Sequence, residues 1–153
     1  MKLAEALSIR SQLVNKITQL RSRLNDCVKI QEGDDMAETP MEVVEELDST
    51  LGELRRIIYA INMTNTLTKY EDGRNLTSLI AERDTLKQRV SILNSAVETL
   101  TQKESRYNRS EIRYVRTVDV PEFRKLYNES AAKLRKLDLQ IQGLGFTTDL
   151  IEE

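Results

Sequence analysis

The sequence predicts an all-α protein: an antiparallel four-helix bundle of long, coiled-coil-like helices with a short extended segment before the last one. Three observations carry this. Charged residues make up 31% of the 153 positions and aromatics 5%, with five Gly and two Pro, the composition of long helices rather than of a sandwich or barrel. Apolar residues recur on alternating three- and four-residue steps through four stretches, the period of a coiled-coil seam. Helix start and stop signals separate those stretches, at Thr39–Pro40, Gly73 and Asp119–Pro121. The length fits one domain spanning 1–153. Its helices are expected at about 2–30, 40–70, 76–104 and 120–144, with a non-helical insertion at about 105–119.

In the first stretch, Leu3, Ala6, Leu13, Ile17, Leu20, Leu24 and Cys27 mark the seam, and Arg10 occupies one step. Leu7, Val14 and Val28 widen it to the stripe of a bundle helix. A polar acidic loop, Gln31–Thr39, follows. It closes on Thr39 as N-cap, Pro40 at the first helical position and Glu42 three residues on, a capping box. The second seam is read as Val44, Leu47, Leu51, Leu54, Ile58 and Ile61, continuing into Asn65 and Thr68. Its polar end makes Asn62, Asn65 and Lys69 candidate members of a polar cluster, or register devices that cost some stability. Gly73 then supplies a left-handed stop.

Asn75 or Thr77 caps the third helix, whose seam is Leu76, Leu79, Leu86, Val90, Leu93, Val97 and Leu100, with Arg83 on one step. Arg10 and Arg83 are therefore guanidiniums at or beside a core, where each needs a carboxylate or must snorkel to water. Glu5, Glu82 and Asp84 are the nearby acids. The helical period stops near Glu104, and in Ile112–Val120 a period of two replaces it. This insertion concentrates Arg106, Tyr107, Arg109, Glu111, Arg113, Tyr114 and Arg116 before Asp119. Arg and Tyr together suit a subunit interface or bundle-end anchor, and they also suit phosphate or single-stranded nucleic acid. Asp119, Pro121 and Glu122 start the fourth helix. Its seam is Phe123, Tyr127, Leu134, Leu137, Ile141 and Leu144, with Gly143 and Gly145 as its end.

The chemistry available is limited. Histidine is absent, which removes His-based metal sites and His general-base triads; no catalytic set, metal site or cofactor is expected. Cys27 is the sole cysteine, so it forms no intrachain disulfide; a reducing cytoplasm is the simplest setting, and a buried structural thiol the favoured role. No secretory signal is visible in MKLAEALSIR, and the longest apolar run, Ile57–Ile61, is far short of a membrane span. The net charge of −2 gives no global attraction to nucleic acid. Charge is nevertheless segregated: residues 2–30 are basic, 31–72 strongly acidic and 73–116 basic, a pattern that suits antiparallel helix pairing as well as it suits a solvated surface.

Three motifs carry a resemblance: the opening MKLAEAL, the turn Asp72–Arg74 followed by LxxxxAERDxLKxR over Leu76–Arg89, and SRYNRSEIRYVRTVDV over Ser105–Val120. The chain resembles small bacterial proteins often labelled septicolysin or left without a function. That resemblance implies an all-helical bundle and, through the label, a pore-forming cytolysin; a membrane enters as a partner only on that reading. The residues themselves point to a non-enzymatic protein that self-associates, with a dimer favoured, or binds a protein partner; anion or nucleic-acid binding through 106–116 is the rival.

Overall fold

A computed structural model describes residues 1–102 and 113–152. It is all-α, with four helices of a bundle protein: α1 Leu3–Cys27, α2 Pro40–Leu67, α3 Leu76–Thr101 and α4 Val120–Thr147. Among the described residues there is no strand, only the isolated bridges Lys2–Asp149 and Lys69–Asn75. Residues 113–119 lie outside any helix, as the loss of helical period predicts.

Capping explains the helix starts. Thr39 accepts a hydrogen bond from the Glu42 N–H at 3.3 Å, and the Glu42 carboxylate accepts the Thr39 N–H at 2.9 Å, so the expected capping box forms. At α1, the Glu5 carboxylate accepts the Lys2 N–H at 2.9 Å. Gly73 has φ +78°; its N–H bonds the Tyr70 carbonyl at 2.8 Å while the Tyr70 N–H bonds the Arg74 carbonyl at 2.9 Å. The turn needs that left-handed residue.

The helix ends differ from expectation. α1 stops at Cys27 rather than Ile30, α2 at Leu67 rather than Tyr70, and α3 at Thr101 rather than Glu104. For α2 the cause is the 70–74 turn and the Lys69–Asn75 bridge, which claim the backbone groups a further helical turn would use. α4 runs on through Gly143 and Gly145 to Thr147. Neither glycine has positive φ, and a Cβ added at Gly145 would meet the Ala4 side chain only at ordinary van der Waals distance, 3.9 Å, so neither is needed as a helix stop.

The chain divides into two compact units, Met1–Asn75 with Gly143–Glu153, and Leu76–Gln142. In the first, α1 packs along α2 over a core of Leu3, Ala6, Leu13, Leu20, Val43 and Ile61. The tail closes its end. The Leu3 N–H bonds the Thr148 carbonyl at 3.0 Å and the Leu150 N–H bonds the Met1 carbonyl at 2.8 Å; of the two apolar residues expected to dock the tail, Leu150 is buried and Phe146 is exposed. In the second unit α3 and α4 pair antiparallel. Arg89 donates to the buried Ser130 hydroxyl at 3.3 Å, and Arg83 approaches Asp138 at 3.9 Å.

The α1 seam is the expected one, but the α2 seam is rotated by one residue on half its positions. Thr50 and Thr64 are buried, while Leu51 and Ile58 are exposed. The buried face therefore reads 43, 47, 50, 54, 57, 61, 64 instead of 44, 47, 51, 54, 58, 61, 65. Each buried threonine donates its hydroxyl to the carbonyl four residues back, Glu46 and Ala60, both at 2.8 Å. That bond satisfies the group within its own helix, so a polar side chain sits in the seam without a cross-helix partner for its proton.

Candidate interaction surface

The expected polar cluster is distributed over both units. Arg10, Asn62 and Lys69 are exposed and Asn65 half-buried in the first unit. Arg10 does not point to a core: it stands in water, which makes a buried counter-ion unnecessary. Arg83 is half-buried in the second unit and donates to Asp84 at 2.8 Å, one of the acids anticipated for it, with Asp138 beyond. Arg113, Tyr114, Arg116 and Asp119 are exposed, Tyr114 at 82%, and Arg116 donates to the Leu100 carbonyl at 3.2 Å. Arg106, Tyr107, Arg109 and Glu111 lie outside the described residues. Among the described members no hydrogen bond or ion pair joins one to another. Cys27 is half-buried, its thiol bonding the Leu24 carbonyl at 3.4 Å. Among the described residues no group of three metal-ligating side chains assembles, and no helix is long and apolar enough to cross a membrane.

What the structure builds instead is a helical hairpin with two unlike flanks. Lys16 and Arg23 reach Glu46 at 3.2 and 2.9 Å, and Arg23 also binds Glu38 at 2.6 and 3.1 Å. These side chains stand beside the seam on one edge of each helix, so this edge is zipped by charge. The segregation of basic α1 from acidic α2 is thus used for antiparallel pairing. The Arg23 guanidinium holds the Glu38 carboxyl below its ordinary range; Lys16, then Arg23, do the same for Glu46. Arg23 itself is raised by both acids. All these groups remain open to water, so the network specifies alignment more than it adds stability.

In an antiparallel pair like flanks meet, because reversing one helix brings its matching edge to the same side. The opposite edge therefore gathers Leu7 and Val14 of α1 with Leu51 and Ile58 of α2, each seven residues from its mate. Their exposures are 37%, 48%, 43% and 39%. This is a second apolar stripe parallel to the seam and still facing solvent. Across this flank and the helix faces next to it, the charges are Arg10, which lies between Leu7 and Val14, with Arg21, Asp48 and Arg55; between them lie Ser11, Thr18 and Asn25. The sequence signal for it was the extra apolar width at Leu7 and Val14. On α2 the same signal was read as core, since a stripe two residues wide does not say which edge turns inward.

Such a hairpin, one edge ion-paired and the other apolar and exposed, belongs to an all-α helical protein. The chain belongs to a family of unknown function, DUF6847, whose model matches residues 10–150. It is also similar to a solved structure, a functionally unknown conserved protein from Corynebacterium diphtheriae, at 36% identity and TM-score 0.91 over 99% of each chain. No curated protein matches. The septicolysin label implied by the motifs finds no support in either description.

Proposed function

We propose that the protein is a cytoplasmic, non-enzymatic helical scaffold that acts by docking a protein surface, a second copy or another protein, on the apolar flank of the α1·α2 hairpin. The observation that carries this is the heptad-spaced run Leu7, Val14, Leu51 and Ile58, exposed on the edge opposite the ion-pair network. Contiguous exposed apolar stripes rimmed by polar residues mark interaction sites. Helices present them as i, i+3, i+4 and i+7 anchors. The small polar neighbours on α1 let another surface approach closely.

Ile58→Glu tests this. Purified wild type and variant are compared by light scattering, and by the proteins each retains from the same cells. A species, self or other, held by wild type and lost with Ile58→Glu is the expected result. A strictly monomeric wild type whose retained proteins are unchanged by Ile58→Glu overturns the reading.

A further inference from the structure

Resting on that docking reading, we infer that the occupant of the flank is a second copy of the chain. The two copies are antiparallel about a two-fold axis that crosses α2 between Leu51 and Gly52, so that Asp48 of each copy pairs with Arg55 of the other.

Three observations support this arrangement. Asp48 and Arg55 are exposed, lie two turns apart on the same side of α2, and enter no ion pair among the described residues. They are too far apart along one helix, about 10 Å at 1.5 Å per residue, to satisfy each other. Reversed about the point midway between them, each meets its opposite charge. That makes the face self-complementary, as an isologous two-fold contact demands.

Level matching supplies the second argument. Glu46 is bridged by Lys16 and Arg23, so it lies level with the middle of that interval on α1. Counting back along the antiparallel helices puts Val14 level with Leu51 and Gly52. The same axis therefore stacks Val14 on Val14 and Leu51 on Leu51, while Arg10 falls level with Thr18 of the second copy and Arg21 beside its Leu7, where the long stems cover apolar surface and the heads reach water.

Third, with the axis at this level the helices of the two copies overlap over about 34 Å, so a face two helices wide, each about 10 Å across, covers about 700 Å², close to what a standard interface buries on each partner.

The experiment is a charge swap on the full chain, read by sedimentation with circular dichroism as the folding control. Wild type is expected to dimerise. Asp48→Arg and Arg55→Asp, each alone, place like charges opposite one another and weaken the dimer roughly tenfold or more. The two single variants mixed together form the heterodimer, and the double variant D48R/R55D regains the homodimer. Both positions are exposed, so none of these changes threatens the fold.

Three results overturn the inference, and they differ in what they do to the docking reading. A wild-type dimer dissolved by Ile58→Glu but indifferent to the single charge reversals removes this register and keeps the flank. A monomeric wild type whose flank holds a different protein, lost with Ile58→Glu, removes the second copy and keeps docking. No effect of Ile58→Glu on any association removes both.

Discussion

At the residue scale, the two buried threonines of α2 separate two roles for one side chain. Thr50 donates to the Glu46 carbonyl, four residues back in its own helix. Thr64 donates to the Ala60 carbonyl and also accepts the Ile151 N–H at 2.8 Å, while Tyr70 and Thr148 share a hydroxyl bond at 3.0 Å nearby. Replacement by Val keeps the shape and removes the hydroxyl. Thr50→Val is expected to change unfolding free energy by less than about 0.5 kcal/mol, since only an intrahelical bond is lost. Thr64→Val leaves a tail N–H without its acceptor and is expected to cost about 1–2 kcal/mol. Urea unfolding of the pair measures the difference; equal costs would show that the tail does not depend on Thr64. Residue type hid this: a threonine in a seam reads as a defect, and nothing in the sequence marks it as the socket for a segment 87 positions away.

At the element scale, the edge of the hairpin that carries Lys16, Arg23, Glu38 and Glu46 predicts an acid response. Glu38 and Glu46 are held below their usual value of 4.5 in the folded protein. Their contribution is thus complete above about pH 4.5 and is lost as the pH falls through the lower folded values. Arg23→Met removes the main cause of the Glu38 shift and the second cause of the Glu46 shift. The fall in melting temperature below pH 4.5 is expected to be shallower in Arg23→Met than in wild type; parallel curves would show the network to be idle. The elements themselves were legible because three- and four-residue spacing, the Thr39 box and Gly73 agree with one another. The α2 seam was placed one residue off on alternate steps because Val43 and Val44, or Ile57 and Ile58, offer equal hydrophobicity. Only the burial of Thr50 and Thr64 decides between the two faces. The helix continues through Gly143 and Gly145 despite a propensity deficit of about 1 kcal/mol for each glycine, and the Leu3 N–H bonded to the Thr148 carbonyl holds its C-terminal end in place.

At the scale of the whole molecule, the fold class was legible and the site was not. Helix number and spacing are properties of single segments, whereas the apolar flank exists only once two helices are aligned, with the charged edge known and the opposite edge left over. Arg10 drew attention as a seam defect and proved to stand in water, while Asp48 and Arg55 looked like ordinary surface until the flank between them was defined. If self-association through that flank stabilises the folded state, stability must depend on protein concentration, because mass action favours the form that has the partner. Each tenfold rise in concentration adds about 1.4 kcal/mol per dimer, which for a chain of this length raises the melting temperature by about 2 °C. Differential scanning calorimetry over a hundredfold range should therefore show a rise of about 4 °C for wild type and none for Ile58→Glu. The same scan in molar salt should retain most of the rise, since apolar burial outlasts the screening of the Asp48–Arg55 pairs. A midpoint independent of concentration in wild type would mean that the folded chain gains nothing from a second copy.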